Sequence, residues 1–120
     1  MSARILYAED EEQTRSIVTE ELRAEGYEVD QVGDGEEAMR ALEGATYDLI
    51  LLDIKMPRKS GMDVLDFLRE RNLRPRVIML TGVNDLSSAI RAMKLGANDY
   101  LTKPYSLEQL LGAISRFLAR

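Results

Sequence analysis

The chain has 120 residues, enough for one domain with its own core, and a single domain over 1–120 is expected. It contains no cysteine and no histidine, which excludes disulfides, thiolate ligands and imidazole chemistry and leaves oxygen to hold any metal: magnesium, manganese or calcium. A net charge of -5 weighs against nucleic acid as a direct partner, and no apolar run approaches the roughly 20 residues of a membrane span.

The first short apolar run, Ile5, Leu6, Tyr7 and Ala8, predicts a strand over 4–8 and ends on Glu9 and Asp10. Asp10 with Gln13 has the spacing of a capping box, and Gly26 suits the end of the helix that follows. The second strand, 27–32, alternates in polarity as an edge strand does. Asp34 with Glu37 is the next helix start. Leu49, Ile50, Leu51 and Leu52 are continuously apolar, as in a strand covered on both faces; this third strand, 48–52, ends at Asp53. The fourth, 76–80, ends at Thr81, and Gly96 closes the helix behind it. The fifth, 98–101, runs into Thr102, Lys103 and Pro104. Ser106 with Gln109 opens the last helix, whose stripe of Leu107, Leu110, Leu111, Ile114, Phe117 and Leu118 reads as core packing. Strands alternating with helices imply βαβ units and a parallel sheet.

If these strands are parallel, every polar residue that ends an apolar run lies on one edge of one sheet. Ligands of open α/β sheets bind outside that edge. Glu9, Asp10 and Asp53 converging there would repel one another unless a cation sat among them. A hard divalent ion relieves this and keeps room for phosphate oxygens. Lys103 adds an ammonium and Thr81 a hydroxyl, a set suited to a phosphoryl group. With no histidine, cysteine or suitable serine, the nucleophile expected is a carboxylate.

These residues carry a resemblance. Glu9-Asp10, Asp53 within Leu51-Leu52-Asp53-Ile54-Lys55-Met56-Pro57, Gly61, Thr81-Gly82, Gly96 to Tyr100 and Lys103-Pro104 together resemble the receiver (CheY-like) domain of two-component response regulators, along the whole chain. The resemblance implies a flavodoxin-like (βα)5 doubly wound parallel sheet in strand order 2-1-3-4-5. It implies that Asp53 accepts a phosphoryl group from a sensor histidine kinase or phosphotransfer protein. Glu9, Asp10, Asp53 and the backbone carbonyl of Lys55 would hold Mg2+, with Mn2+ as a substitute. Lys103 would pair with phosphoryl oxygens, Thr81 would swing to meet them, Tyr100 would turn inward behind it, and the Lys103–Pro104 bond would be cis. The face over 84–95, 99–101 and 106–117 would meet a downstream protein or output domain, and a phosphorylation-dependent homodimer through it is one form of that contact. A cytoplasmic phosphoacceptor is expected, not an enzyme with turnover beyond its own phosphotransfer and slow autodephosphorylation. Val83, which offers nothing to position a hydrolytic water, underlies the slow rate, and Lys55 is expected to face solvent.

Other readings have less support. Residues 33–38 match a dinucleotide fingerprint, but they follow the second strand and would bring three acids to a pyrophosphate. No Gly-Lys-Ser/Thr of a phosphate-binding loop occurs. A metal-dependent phosphatase would need an acid where Lys55 stands. A silent interaction module would not need the intact set of acids, Thr81 and Lys103.

Overall fold

In a computed structural model that describes residues 2–118, five parallel strands form one sheet in the order β2-β1-β3-β4-β5. They are β1 (Arg4–Ala8), β2 (Glu28–Val32), β3 (Leu49–Asp53), β4 (Arg76–Thr81) and β5 (Asp99–Thr102). Five α-helices alternate with them: α1 (Glu12–Ala24), α2 (Gly35–Gly44), α3 (Gly61–Glu70), α4 (Leu86–Lys94) and α5 (Leu107–Phe117). The expected order and alternation hold. Boundaries move by a residue or so: β3 and β4 take in Asp53 and Thr81, so these side chains sit on the last residue of a strand.

Successive residues of a strand face opposite sides, and this one rule builds both layers of the core. Leu6, Ala8, Ile50, Leu52, Val77 and Met79 pack against α2, α3 and α4 through Ala38, Leu42, Val64, Leu68, Ala89 and Ala92. Ile5, Tyr7, Leu49, Leu51, Ile78 and Leu80 pack against α1 and α5 through Leu22, Leu110, Ala113 and Ile114. In β3 all five residues are buried, as its unbroken apolar run requires, whereas edge strand β2 buries only Val29. Of the α5 stripe, Leu110, Ile114 and Leu118 are buried and Leu111 and Phe117 partly so, while Leu107 is exposed.

The helix starts follow the expected chemistry with one correction. Asp10 does not cap α1. The Glu11 side chain does, accepting from the Thr14 N–H at 2.7 Å, which leaves Asp10 free for the sheet edge. Asp34 accepts from the Glu37 N–H at 2.8 Å, but the Glu37 carboxylate takes the Gly33 N–H, so that box is shifted by one residue. Ser106 and Gln109 form a full capping box, and so do Ser60 and Asp63, a pair the sequence reading passed over. Gly26 and Gly96 end α1 and α4 with φ of 97° and 114°, the left-handed region that favours glycine. No helix among the described residues is long and apolar enough to cross a membrane.

Candidate functional site

The carboxyl edge of the sheet gathers the expected residues. The register places Asp53 opposite Leu80 and Thr81 opposite Thr102, so Asp53 and Thr81 end neighbouring strands and Lys103 directly follows the next one. Lys103 is tied to that edge by its own N–H, which donates to the Thr81 carbonyl at 2.7 Å. The Lys103–Pro104 peptide is cis, as expected. Glu9 follows β1, where its N–H donates to the Val32 carbonyl at 3.1 Å and its carbonyl accepts from Arg15 of α1 at 2.8 Å.

At the centre, the Lys103 ammonium lies 2.9 Å from Glu9 Oε1 and 2.9 Å from Asp53 Oδ2. Both carboxylates are buried. One carboxylate oxygen from each of Glu9, Asp10 and Asp53 falls within a span of 4.8 Å. Three carboxylates face one ammonium, and the imbalance shows in their protonation. Burial, aided by the Glu9 charge, pushes the Asp53 carboxyl up to about 7 against the pull of Lys103. Burial and Glu9 likewise raise Asp10. Burial raises Glu9 too, but hydrogen bonds from Lys103 and the Glu11 N–H outweigh it and leave Glu9 below its ordinary value. Burial works against the Lys103 charge, and hydrogen bonds to Asp53 and Glu9 more than offset it, so the ammonium is held protonated. Excess negative charge from hard oxygen donors fits a divalent cation of the magnesium class.

Thr81 is fully buried, and its hydroxyl donates to the Gly82 carbonyl at 3.1 Å rather than into the acidic cluster. Tyr100 is 37% exposed on β5, the outward position. Lys55 points to solvent, as expected, with its side chain 77% exposed and its ammonium 3.5 Å from Asp85. Residues 33–38 form no dinucleotide cradle: Arg58 closes on the Asp34 carboxylate, and a Cβ on Gly35 would lie 2.1 Å from the Lys59 carbonyl oxygen. Gly61 is fixed by a similar approach, since a Cβ there would lie 2.4 Å from the Asp53 carbonyl oxygen. Sequence reasoning missed Arg58 and Asp85. Neither lies at a strand end, and each finds its partner only through the fold.

A model of the response regulator receiver domain matches residues 5–115. The chain belongs to the response regulator receiver domain family. Among its relatives are the transcriptional regulatory protein DltR of Streptococcus agalactiae, 37% identical over 92% of this chain and 50% of that protein, and the alkaline phosphatase synthesis regulator PhoP of Bacillus subtilis, 34% identical over 100% of this chain and 50% of that protein. The chain thus spans about half the length of these curated relatives. Among solved structures, the receiver domain of the Francisella response regulator 1452 superposes with a TM-score of 0.90 at 28% identity, covering 97% of this chain and 96% of that one. The response regulator TrrA of Thermotoga maritima, solved with Mg2+-BeF, superposes with a TM-score of 0.86 at 34% identity, covering 98% and 100%. A phosphoacceptor role follows for this receiver domain from its family.

Proposed function

We propose that Asp53 is the phosphoacceptor of this receiver domain, that Thr81 and Lys103 serve the transfer, and that Thr81 and Tyr100 carry the switch. The observation that carries the reading is the buried Asp53 carboxylate at a strand end, hydrogen-bonded at 2.9 Å to an ammonium it shares with Glu9. Glu9, Asp10, Asp53 and the Lys55 backbone carbonyl would hold Mg2+, with Mn2+ able to replace it; the bound ion supplies positive charge against the phosphoryl oxygens. TrrA, solved with Mg2+-BeF, supports that choice.

The donor is a phosphohistidine of a sensor kinase or phosphotransfer protein in the cytoplasm. An Asp53 carboxylate oxygen bonds to phosphorus as the phosphorus–nitrogen bond breaks, and the departing imidazole keeps that electron pair and takes up a proton. Asp53 must be ionised to attack, so the neighbouring positive charge of Lys103 favours the reactive form. Once the phosphoryl group is in place, Lys103 shifts its hydrogen bond to a phosphoryl oxygen. Thr81 gives up the Gly82 carbonyl and donates to another. The added charge of about −2 is thereby read by groups that already line the site. The chain is a switch, not an enzyme with turnover. Exposed Val83 offers no acid or amide to orient a hydrolytic water, and a phosphatase would need an acid at Lys55. Output passes through the α4-β5-α5 face to a downstream protein or output domain, without direct contact between this domain and nucleic acid.

The test is intact mass after incubation with Mg2+ and acetyl phosphate, beside Asp53→Asn. One added phosphoryl group is expected in the wild type, and none in the variant or without Mg2+. Addition that persists in the variant would remove Asp53 from the role.

A further inference from the structure

The loop between β3 and α3, residues 54–60, is fastened by several contacts that belong to no helix or strand ladder, among them the Ile54 N–H to the Leu80 carbonyl at 3.1 Å and the Lys55 ammonium beside Asp85. At its base, the Gly61 N–H donates to the Ile54 carbonyl at 2.8 Å, and the Lys59 N–H turns back to the Pro57 carbonyl at 2.7 Å. At its tip, Arg58 adopts a φ of 65°, a left-handed conformation that is unfavourable for a non-glycine residue. That conformation brings the guanidinium onto Asp34 Oδ2, with Nε at 2.7 Å and a second nitrogen closing the pair. Asp34 is no ordinary surface acid. Its side chain is 2% exposed, it caps α2 through Oδ1, and the neighbouring Gly35 lets the Lys59 backbone approach where any Cβ would collide.

An ion pair between exposed groups contributes little. This one differs because the carboxylate is buried, held at the start of a helix through Oδ1, and two guanidinium nitrogens converge on its Oδ2. The pair therefore acts as a fixed post to which the tip of the loop is tied. The tip lies only three to five residues past Asp53, and Lys55 and Asp10 line one cleft of about 570 Å³ with Met56, Pro57 and Ser60.

We propose that Arg58 is a positioning residue: clamped to Asp34, it holds the 54–60 loop so that the Lys55 backbone carbonyl faces the acidic cluster and completes the metal site. The proposal rests on the reading of Lys55 as a carbonyl ligand. Backbone ligands have no rotamer to adjust, so their placement depends on how firmly the loop is held. Groups that orient metal ligands from behind typically alter affinity by about 10–100-fold when removed.

The test is calorimetric titration of Mg2+ into the unphosphorylated domain, well below the melting temperature of each variant, for wild type, Arg58→Ala, Arg58→Gly and Arg58→Lys. Glycine accepts the left-handed conformation without strain, so Arg58→Gly keeps the turn and the fold while deleting the clamp. The expected result is a Kd about tenfold higher in both Arg58→Ala and Arg58→Gly, with partial recovery in Arg58→Lys. Phosphorylation by acetyl phosphate should then need more Mg2+ for half-maximal rate and reach the wild-type rate at saturation. Asp34→Asn should weaken Mg2+ to a similar degree, and the Asp34→Asn/Arg58→Gly double variant should be no worse than either single one. A folded Arg58→Gly that binds Mg2+ like the wild type would overturn the clamp alone. A wild-type domain that binds no Mg2+ would overturn the site reading beneath it.

Discussion

Asp53 is placed in a fold that opposes its ionised form. Burial is the main cause, and Glu9 adds to it, so the carboxyl titrates near 7 in the metal-free domain. An unfolded aspartate titrates near 4. Because the folded value is the higher one, the native state binds more protons than the unfolded chain between those two limits. Stability from this group is therefore lost as pH rises from about 4 to about 7. In chelator, Asp53→Asn should be more stable to urea than wild type at pH 8, with the gap shrinking toward pH 5. Mg2+ should raise the wild-type midpoint and leave the variant nearly unmoved, since a ligand that binds only the native state stabilises it by mass action. Equal midpoints at pH 8 would mean that Lys103 fully compensates the buried charge. Lys103 contributes an ammonium that holds the Glu9 and Asp53 carboxylates together, which keeps the proposed nucleophile at the edge of the sheet.

At the scale of elements, the strand ends were legible in the sequence because a strand buried on both faces tolerates no polar residue until it leaves the core. Leu49 to Leu52 is such a run, and the first polar residue after it is the proposed nucleophile. The helix caps were less legible. Glu9, Asp10 and Glu11 are consecutive acids, and what decides among them is where β1 stops pairing: Glu9 still bonds Val32, so the cap falls on Glu11. Arg58 was illegible, since no sequence pattern marks a left-handed arginine whose partner lies 24 residues away. Gly61 was visible as part of the receiver-domain resemblance but without a physical reason, which the structure supplies. Its absent side chain lets α3 begin against the Asp53 carbonyl. Gly61→Ala would force a Cβ within 2.4 Å of that backbone oxygen, where no flexible side chain can yield. The expected cost is about 1–3 kcal/mol in urea unfolding, together with slower phosphorylation because the Asp53 peptide itself must shift. A variant with unchanged stability would show that α3 can slide away from β3 freely. Asp34→Ala makes a contrasting prediction, because it removes both a cap and a buried partner of Arg58. The hydrogen bond from the Glu37 N–H, with help from Arg58, holds the Asp34 carboxyl below its ordinary value. Its contribution is therefore present above about pH 4 and lost below it. The variant should lose about 1–2 kcal/mol at pH 7 and less at pH 3.

Across the whole molecule, the surroundings of α2 and α3 differ from the α4-β5-α5 side, a division along the sheet rather than between its two helical layers. Asp34, the cap of α2, pairs with Arg58 of the 54–60 loop, and Gly61 begins α3 against the Asp53 carbonyl. The α4-β5-α5 side carries most of the large apolar residues exposed among the described residues, Leu86, Ile90, Met93, Tyr100 and Leu107, with Ile17, Leu73 and Val83 elsewhere. Thr81 connects the two sides: it ends β4 beside Thr102 of β5, two residues beyond Tyr100. The Thr81 hydroxyl would, under the proposed function, turn from the Gly82 carbonyl toward a phosphoryl oxygen, changing the packing at the end of β5 so that Tyr100 moves in. Under the proposed function, Thr81→Ala should still accept the phosphoryl group but should not transmit it. Hydrogen exchange across 86–107 should slow on phosphorylation of the wild type and stay unchanged in Thr81→Ala. If that face also pairs two copies, light scattering should show the mass double in the phosphorylated wild type and remain monomeric in Thr81→Ala. Ile90→Arg separates the two effects. Its side chain is exposed, so the substitution should change stability by no more than about 0.5 kcal/mol. It should keep phosphorylation and the slowed exchange at β5 while abolishing the dimer, because a charge at the centre of an apolar contact has no partner there. A dimer that survives Ile90→Arg would place the contact elsewhere, and slowed exchange that survives Thr81→Ala would take the switch away from the hydroxyl.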